Sequence, residues 1–261
     1  MSCQLSERHS VHATRPPVLS LRRRLHTGIG VAAAVVGMLV GAGGRPWALG
    51  LGPSFSADSQ PAPMTETWTF DRLDQIGGHP TTVLGSPRVI DSPPGKAVEF
   101  DGVDDALLVG AHPLAGAATF TWEAIFRPDG GARAQRWFHL QEDGSDNRML
   151  FEIRVAGDRW FLDAFAYSNG NEKALINKEA LHAVGEWYHV AAVYDGTTYS
   201  NYVNGVQQLA FPIVLVPQGK GRASVGVRVT LVDYFKGAVH SARFTRRALT
   251  PAEFTGIRRQ R

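Results

Sequence analysis

The segment Thr119-Phe-Thr-Trp-Glu-Ala-Ile-Phe-Arg127 decides the fold class. Its apolar side chains recur at every second residue, namely at Phe120, Trp122, Ala124 and Phe126, and polar side chains occupy most positions between them. A period of two places successive side chains on opposite faces of a β-strand. We therefore predict a strand that turns one face to a hydrophobic core.

The same alternation recurs on both sides of this segment. Further strands are predicted at Thr67–Asp71, Ala97–Phe100, Ala106–Val109, Arg136–Gln141, Arg148–Val155, Trp160–Ala166, Trp187–Tyr194, Thr198–Val203, Ala223–Val229 and Tyr234–Arg243. Between two of them, Asn204-Gly205 can supply the positive φ that a tight hairpin requires at both central positions. Short strands separated by Gly, Asp, Asn and Pro indicate an all-β, two-sheet antiparallel sandwich.

Helix signals are confined to two short stretches. Thr250 can cap a helix that starts at Pro251, and Glu253 completes a capping box, so a short C-terminal helix is predicted. A second short helical stretch is predicted around Glu179–Val184. No internal repeat of fixed period is found, which favours a single domain.

Charge is distributed unevenly along the chain. The 261 residues include 27 Lys plus Arg and 24 Asp plus Glu, but residues 1–50 hold six of the basic residues and only one acid. The remaining 21 basic and 23 acidic residues make the rest nearly neutral, which argues against nucleic acid as a partner. The single cysteine, Cys3, excludes a disulfide framework and any multi-cysteine metal site.

Residues 1–50 have the pattern of an export signal. An uncharged run, Leu25–Gly44, follows Arg22-Arg23-Arg24, so the cations would stay on the cytoplasmic side while the apolar run enters the membrane. The paired arginines resemble a bacterial twin-arginine signal, although Leu21 stands where that motif usually has Ser or Thr. We predict a periplasmic or extracellular protein. The alternative is an uncleaved N-terminal membrane anchor, and the protein would contact a membrane only through this segment.

Two short segments flank the predicted domain at 66–256. Residues 51–65 are rich in Pro and Ser and are predicted to form a linker without a core of its own. Residues 257–261 form a basic tail.

A series of motifs carries a resemblance to a known family. They are Trp68-Thr-Phe-Asp71, Val98-Glu-Phe-Asp-Gly-Val-Asp-Asp105, the strand ending at Pro128, Gly185-Glu-Trp-Tyr-His-Val-Ala-Ala-Val-Tyr-Asp-Gly196, Tyr202-Val-Asn-Gly205 and the closing segment Phe235–Phe254. In this order and spacing they resemble a laminin-G-like domain of the concanavalin A-like lectin/glucanase superfamily, over residues 66–256. The resemblance implies a jelly roll with one concave face. The superfamily includes lectins, adhesion modules, glycoside hydrolases and lyases, so the fold does not fix the activity.

The resemblance also implies a structural calcium site. Domains of this kind often bind calcium through aspartates around a Phe-Asp-Gly segment and an acidic pair in the last strand. Asp101 and Asp104 are the predicted ligands, and clustered carboxylates on a Gly turn suit a hard cation. The last strand reads Ala238-Val-His-Ser241 where relatives have acids, which weakens the predicted site. The alternative is that Asp104 and Asp105 are turn residues only.

The predicted ligand-binding surface is one face of three neighbouring strands. If Met149, Phe151 and Ile153 face the core, the opposite face carries polar and aromatic side chains. The candidate ligand-binding residues are Trp137, His139, Glu152, Arg154, Asp163, Phe165 and Tyr167. Aromatic rings beside carboxylates and guanidinium groups suit stacking on sugars and hydrogen bonding to their hydroxyls. The alternative is that these rings pack beneath loops.

These observations predict an exported, non-catalytic module that binds an oligo- or polysaccharide or a glycosylated surface. One alternative is a polysaccharide-degrading glycosidase or lyase that acts on the same face, and another is an adhesion module that binds protein. Hydrolysis needs two carboxylates on either side of the glycosidic bond. Glu152 and Asp163 are the plausible pair, but Arg154 on the same face favours a cross-strand salt bridge.

Overall fold

The computed structural model describes residues 65–256. The predicted export signal, all but the last residue of the predicted linker, and the basic tail lie outside the described residues. The described chain forms 17 strands: β1 (Thr65–Thr69), β2 (Gln75–Ile76), β3 (His79–Leu84), β4 (Arg88–Ile90), β5 (Ala97–Asp101), β6 (Ala106–Val109), β7 (Phe120–Pro128), β8 (Ala134–Glu142), β9 (Arg148–Ala156), β10 (Arg159–Ser168), β11 (Asn171–Ile176), β12 (His182–Ala183), β13 (Tyr188–Tyr194), β14 (Thr198–Val203), β15 (Val206–Pro212), β16 (Gly221–Val225) and β17 (Lys236–Thr245). A single 3₁₀ turn (Pro251–Glu253) follows the last strand.

The strands form two antiparallel sheets. Sheet I has the order β15-β14-β13-β7-β17-β5-β4, and β1 also pairs with β17. Sheet II has the order β11-β10-β9-β8-β16-β6-β3-β2, and β12 also pairs with β10. The predicted all-β, two-sheet antiparallel architecture is confirmed.

Aromatic side chains from both sheets form the core between them. The ring of Trp122 in sheet I lies 4.1 Å, centroid to centroid, from that of Phe151 in sheet II. Phe126 in sheet I stacks on Trp137 in sheet II at 4.2 Å, with the two rings nearly parallel. Large rings bury much apolar area each, so these contacts between sheets contribute strongly to the stability of the sandwich.

A β-bulge in β8 changes the face on which its side chains lie. The pairing of β8 with β9 shifts register between Arg136 and Phe138, which leaves Trp137 as the extra residue of the strand. Both Trp137 and Phe138 are therefore directed into the core and are fully buried. The prediction that Trp137 lies on the ligand-binding face is wrong, because strict alternation does not continue through a bulge.

The predicted hairpin turn is confirmed, one of the two predicted helical stretches is present as a 3₁₀ turn, and the other is wrong. Asn204 and Gly205 have φ values of 50° and 78° between β14 and β15, which confirms the predicted hairpin turn. The predicted C-terminal helix is present as one 3₁₀ turn, in which the Glu253 carboxylate accepts hydrogen bonds from the backbone N–H and hydroxyl of Thr250. The helix predicted around Glu179–Val184 is wrong: that stretch forms turns and the short strand β12. Within residues 65–256, no helix is long and apolar enough to cross a membrane.

Candidate functional site

The outward surface of β8, β9 and β10 brings together six of the seven predicted ligand-binding residues. Cross-strand pairing forms three rows on this surface: Arg136, Glu152 and Asp163; His139, Leu150 and Phe165; Gln141, Arg148 and Tyr167. Arg154 lies on β9 beyond the first row, and Arg228 is contributed by the segment after β16. We call this surface, with Arg154 and Arg228, the arginine face. It contains a depression of about 240 Å³ lined by most of these side chains.

Two carboxylates at the centre of the arginine face are buried and bound by arginines. Glu152 and Asp163 are 4% and 2% exposed. Arg154 Nη2 lies 2.9 Å from Glu152 Oε2 and 2.7 Å from Asp163 Oδ2. Arg136 binds the other oxygen of Glu152 at 3.1 Å and also contacts Asp233. The cross-strand salt bridge that the sequence favoured is therefore present.

The surroundings of Asp163 raise its affinity for a proton. Burial and the negative charge of Glu152 raise the pKa of Asp163 to about 6, against the opposing attraction of Arg154. Its Oδ1 atom is buried and has no hydrogen-bond partner among the described residues. This carboxyl group therefore keeps its proton to a higher pH than an ordinary aspartate, and when protonated it can donate a hydrogen bond.

His139 lies beneath the arginine face. Its side chain is fully buried, and its Nδ1 accepts a hydrogen bond from the backbone N–H of Val229 at 3.1 Å. Burial and the positive charges of Arg228 and Arg148 lower the pKa of His139 to about 3, so the ring is neutral. The predicted direct contact of His139 with a ligand is not supported, because packing removes the ring from the surface.

The two predicted stacking rings, Phe165 and Tyr167, support an arginine. The guanidinium carbon of Arg148 lies 5.1 Å from the centroid of Phe165 and 4.8 Å from that of Tyr167. Cation–π attraction orients Arg148 over both rings, so the group they present outward is a guanidinium. The alternation in β9 could have revealed Arg148 as a site residue. Arg228 lies outside any strand, and no pattern in the sequence places it on this face.

The predicted calcium ligands form a compact acidic turn. Asp101, Asp104 and Asp105 each place an oxygen within 4.8 Å of the others. Both oxygens of Asp105 accept backbone N–H groups, from Ser86 at 2.6 Å and from Asp101 at 3.0 Å. Asp101 Oδ1 accepts the N–H groups of the next turn, and although burial opposes it, these bonds lower the pKa of Asp101.

These contacts fit a turn better than a calcium site. Calcium takes about six to eight oxygen ligands, and the carboxylates of Asp101 and Asp105 already accept backbone hydrogen bonds. The cross-strand neighbour of Asp101 in β17 is a cation, Lys236. Structural calcium therefore stays a prediction, with Asp101 and Asp104 as its ligands.

Thermal unfolding tests this calcium site. We expect the melting temperature to be nearly the same in a chelator and in millimolar calcium, because the segment Ala238-Val-His-Ser241 of the last strand offers no carboxylate and Lys236 is the cross-strand neighbour of Asp101. An occupied site would stabilise the fold by about 2.7 kcal/mol at 100 times the dissociation constant, which corresponds to a clear shift. A shift of several degrees that Asp104→Asn removes would establish calcium binding.

Sheet I contains a second buried polar cluster, on its outward surface. Glu123 Oε1 lies 3.1 Å from His189 Nε2 and accepts the backbone N–H of Thr255 at 2.7 Å, and Arg243 Nε lies 3.1 Å from Glu123 Oε2. Burial would raise the pKa of Glu123, but these partners outweigh it and lower the pKa. His189 is buried within the packing of strand β13. The cluster ties the C-terminal segment to the sheet.

Solved structures of the same architecture include carbohydrate-binding and receptor-binding domains. Domain 4 of AbnA, an extracellular GH43 arabinanase from Geobacillus stearothermophilus in complex with arabinotriose, matches with a TM-score of 0.56 and 19% identity, over 74% of this chain and 97% of that chain. The binding domain of Paraclostridial Mosquitocidal Protein 1 matches with a TM-score of 0.53 and 10% identity, over 72% of this chain and 50% of that chain. The receptor binding domain of botulinum neurotoxin type G matches with a TM-score of 0.51 and 11% identity, over 72% of this chain and 49% of that chain. At these identities the likeness is one of fold.

Sequence comparison gives the family. No curated protein sequence matches this chain. The Laminin_G_3 family model, described as the concanavalin A-like lectin/glucanases superfamily, matches residues 101–254. This match covers more than half of the chain and agrees with the two-sheet fold. The chain therefore belongs to the concanavalin A-like lectin/glucanase superfamily.

Proposed function

We propose that this protein is an exported, non-catalytic module that binds a polysaccharide or a glycosylated surface through the arginine face. The observation that carries the proposal is the depression of about 240 Å³ in which guanidinium groups, carboxylates and ring edges converge. Hydrogen-bond donors and acceptors around a shallow depression match the hydroxyl groups of a sugar chain. The arabinotriose complex of a domain with the same fold supports a saccharide ligand. Export rests on the sequence pattern of residues 1–50.

A polysaccharide-binding assay with a matched pair of variants tests this proposal. We expect the protein to be retained by at least one immobilised polysaccharide, and Tyr167→Ala to weaken binding by about 1–2 kcal/mol, because Arg148 loses one of its two supporting rings. Phe211→Ala removes another ring, 40% exposed on β15, and should leave binding unchanged. Failure to bind any glycan in a broad array, or equal binding by Tyr167→Ala and the parent protein, would contradict the proposal.

A glycosidase is the second candidate, and the raised pKa of Asp163 is the observation that favours it. A carboxyl group with a raised pKa close to a second carboxyl group is the arrangement that glycoside hydrolases use. Against this, Arg154 binds both Asp163 and Glu152, and both carboxylates are buried. Release of reducing ends that Asp163→Asn abolishes without loss of binding would support hydrolysis. No release by the parent protein between pH 5 and 7, as we expect, would exclude it.

A further inference from the structure

The charges on the arginine face are not balanced. Arg136 is paired with Glu152 and Asp233, and Arg154 is paired with Glu152 and Asp163. Within the part of the chain that the structure describes, Arg148 and Arg228 have no carboxylate within 4.0 Å. Four guanidinium groups thus meet three carboxylates, and burial and the charge of Glu152 disfavour the ionised form of one of these, Asp163.

The excess of positive charge acts directly on Arg228. It is half-buried, and its Nε atom is buried without a hydrogen-bond partner among the described residues. Burial and the neighbouring charges of Arg148 and Arg136 lower the pKa of Arg228, with only Glu152 acting in the opposite direction. The low pKa of His139 beneath the face has the same origin. Arg228 therefore lies close enough to Arg148 and Arg136 to be repelled by them, which disfavours its charged form in the folded protein.

Arg148 is held in position with most of its donors free. Its guanidinium lies over the rings of Phe165 and Tyr167, and Nη1 donates to the backbone carbonyl of Asp146 at 2.8 Å. A guanidinium has five N–H donors in a planar fork that matches a carboxylate or a sulfate. An oriented side chain loses little conformational entropy when it binds. Arg148 is thus prepared for an anionic group.

We infer that the ligand of the arginine face is an acidic polysaccharide, whose carboxylate or sulfate groups bind Arg148 and Arg228. This inference rests on the proposed glycan-binding function and names the class of glycan. Outside residues 1–50 the chain has 21 basic and 23 acidic residues, so the attraction for an anion is local to this face. A bound anion would supply the negative charge that the described residues around Arg148 and Arg228 lack.

Equilibrium binding to charged and uncharged polymers tests the inference. The polymers are polygalacturonate, which carries carboxylates, dextran sulfate, which carries sulfates, and the neutral polymers dextran and arabinan, all at physiological salt. We expect binding to at least one acidic polymer and much weaker binding to the neutral ones. Comparison of the two acidic polymers identifies the anion. Arg148→Gln and Arg228→Gln should each lower the affinity about tenfold or more, as expected for a lost hydrogen bond to a charged group.

Two control variants separate specific recognition from general charge attraction. Arg72→Gln removes an exposed arginine from the loop before β2, at the other end of the order of sheet II, and should leave the affinity within about twofold of the parent, since screening limits distant surface charges. Arg148→Lys keeps the charge but loses the planar fork, so we expect it to lose most of the affinity.

The melting temperature gives a second measurement, because replacing an arginine with a purely structural role would lower it. Arg228→Gln relieves charge repulsion, so its melting temperature should equal or exceed that of the parent while binding is lost. An equal loss of affinity in Arg72→Gln, unchanged affinity in both Arg148→Gln and Arg228→Gln, or a lower melting temperature for Arg228→Gln would overturn the inference. Binding to neutral polymers alone would overturn it and leave the proposed function standing. Binding to no glycan would overturn both.

Discussion

Replacing Trp137 with alanine should lower the free energy of unfolding by about 3–5 kcal/mol, the range for loss of a large aromatic side chain from a core. The indole is fully buried and stacks on Phe126 at 4.2 Å, and Phe151 lies 5.5 Å away on its own sheet. The variant would therefore lose one of the closest ring contacts between the two sheets. Urea denaturation followed by circular dichroism measures the change.

Two further tryptophan variants sharpen this measurement. Trp137→Phe keeps an aromatic ring and removes an indole N–H that has no acceptor among the described residues, so its loss of stability should be much smaller than that of alanine. Trp187 is half-buried beneath Arg127 and serves as the less buried control, for which alanine should cost much less stability. A Trp137→Ala protein as stable as the Trp187→Ala protein would refute the buried position of Trp137.

Replacing Glu123 with alanine should also destabilise the fold by about 3–5 kcal/mol, because removal of one partner leaves buried polar groups without compensation. The side chains of Glu123 and His189 are each 2% exposed, and Glu123 is also bound to Arg243 and to the backbone of Thr255. The variant would leave the arginine without its counter-charge and release the C-terminal segment. Chemical denaturation at neutral pH measures the loss.

The pH dependence of the Glu123 variant has a defined direction. The pKa of Glu123 is lowered in the folded state, so the ionised carboxylate stabilises the fold above its ordinary value of about 4.5 and this contribution is lost as the pH falls through the folded value. The stability difference between the parent and Glu123→Gln should therefore shrink in acid. Glu253→Ala, which alters an exposed carboxylate, is the matched control and should cost much less. Equal losses for the two glutamates would contradict the structural role of Glu123.

Regular strands could be predicted closely from the sequence. The strands predicted at 119–127 and 148–155 appear as Phe120–Pro128 and Arg148–Ala156, because each has an uninterrupted period of two with one face in the core. Strand β11, Asn171–Ile176, was not predicted. It lies at the edge of sheet II, where exposed polar side chains leave only a weak hydrophobic pattern.

The candidate site could be predicted only in part, and the reasons are physical. The location on β8–β10 follows from alternation, since the same pattern that buries Phe151 exposes Arg154. A strand is predicted over Ala223–Val229, but in the structure it ends at Val225. The prediction therefore placed Arg228 within a strand, so its position on the arginine face could not be recognised. The strand ends because Gly226 has a φ of 86° and packs so closely on Phe100 that a Cβ would clash. No local sequence pattern indicates this contact, because Gly226 and Phe100 are far apart in the chain.

The bulge in β8 has a consequence for changes in chain length. Trp137 is its unpaired residue, so loss of Trp137 would join Arg136 directly to Phe138 and leave a regular alternation of outward and inward side chains. Deletion of a residue further along the strand would instead turn the remaining side chains to the opposite face. An insertion or deletion at position 137 would therefore leave the side chains of the arginine face on their present side of the sheet. A homologue that gained or lost this residue would alter the packing between its sheets and keep the arginine face.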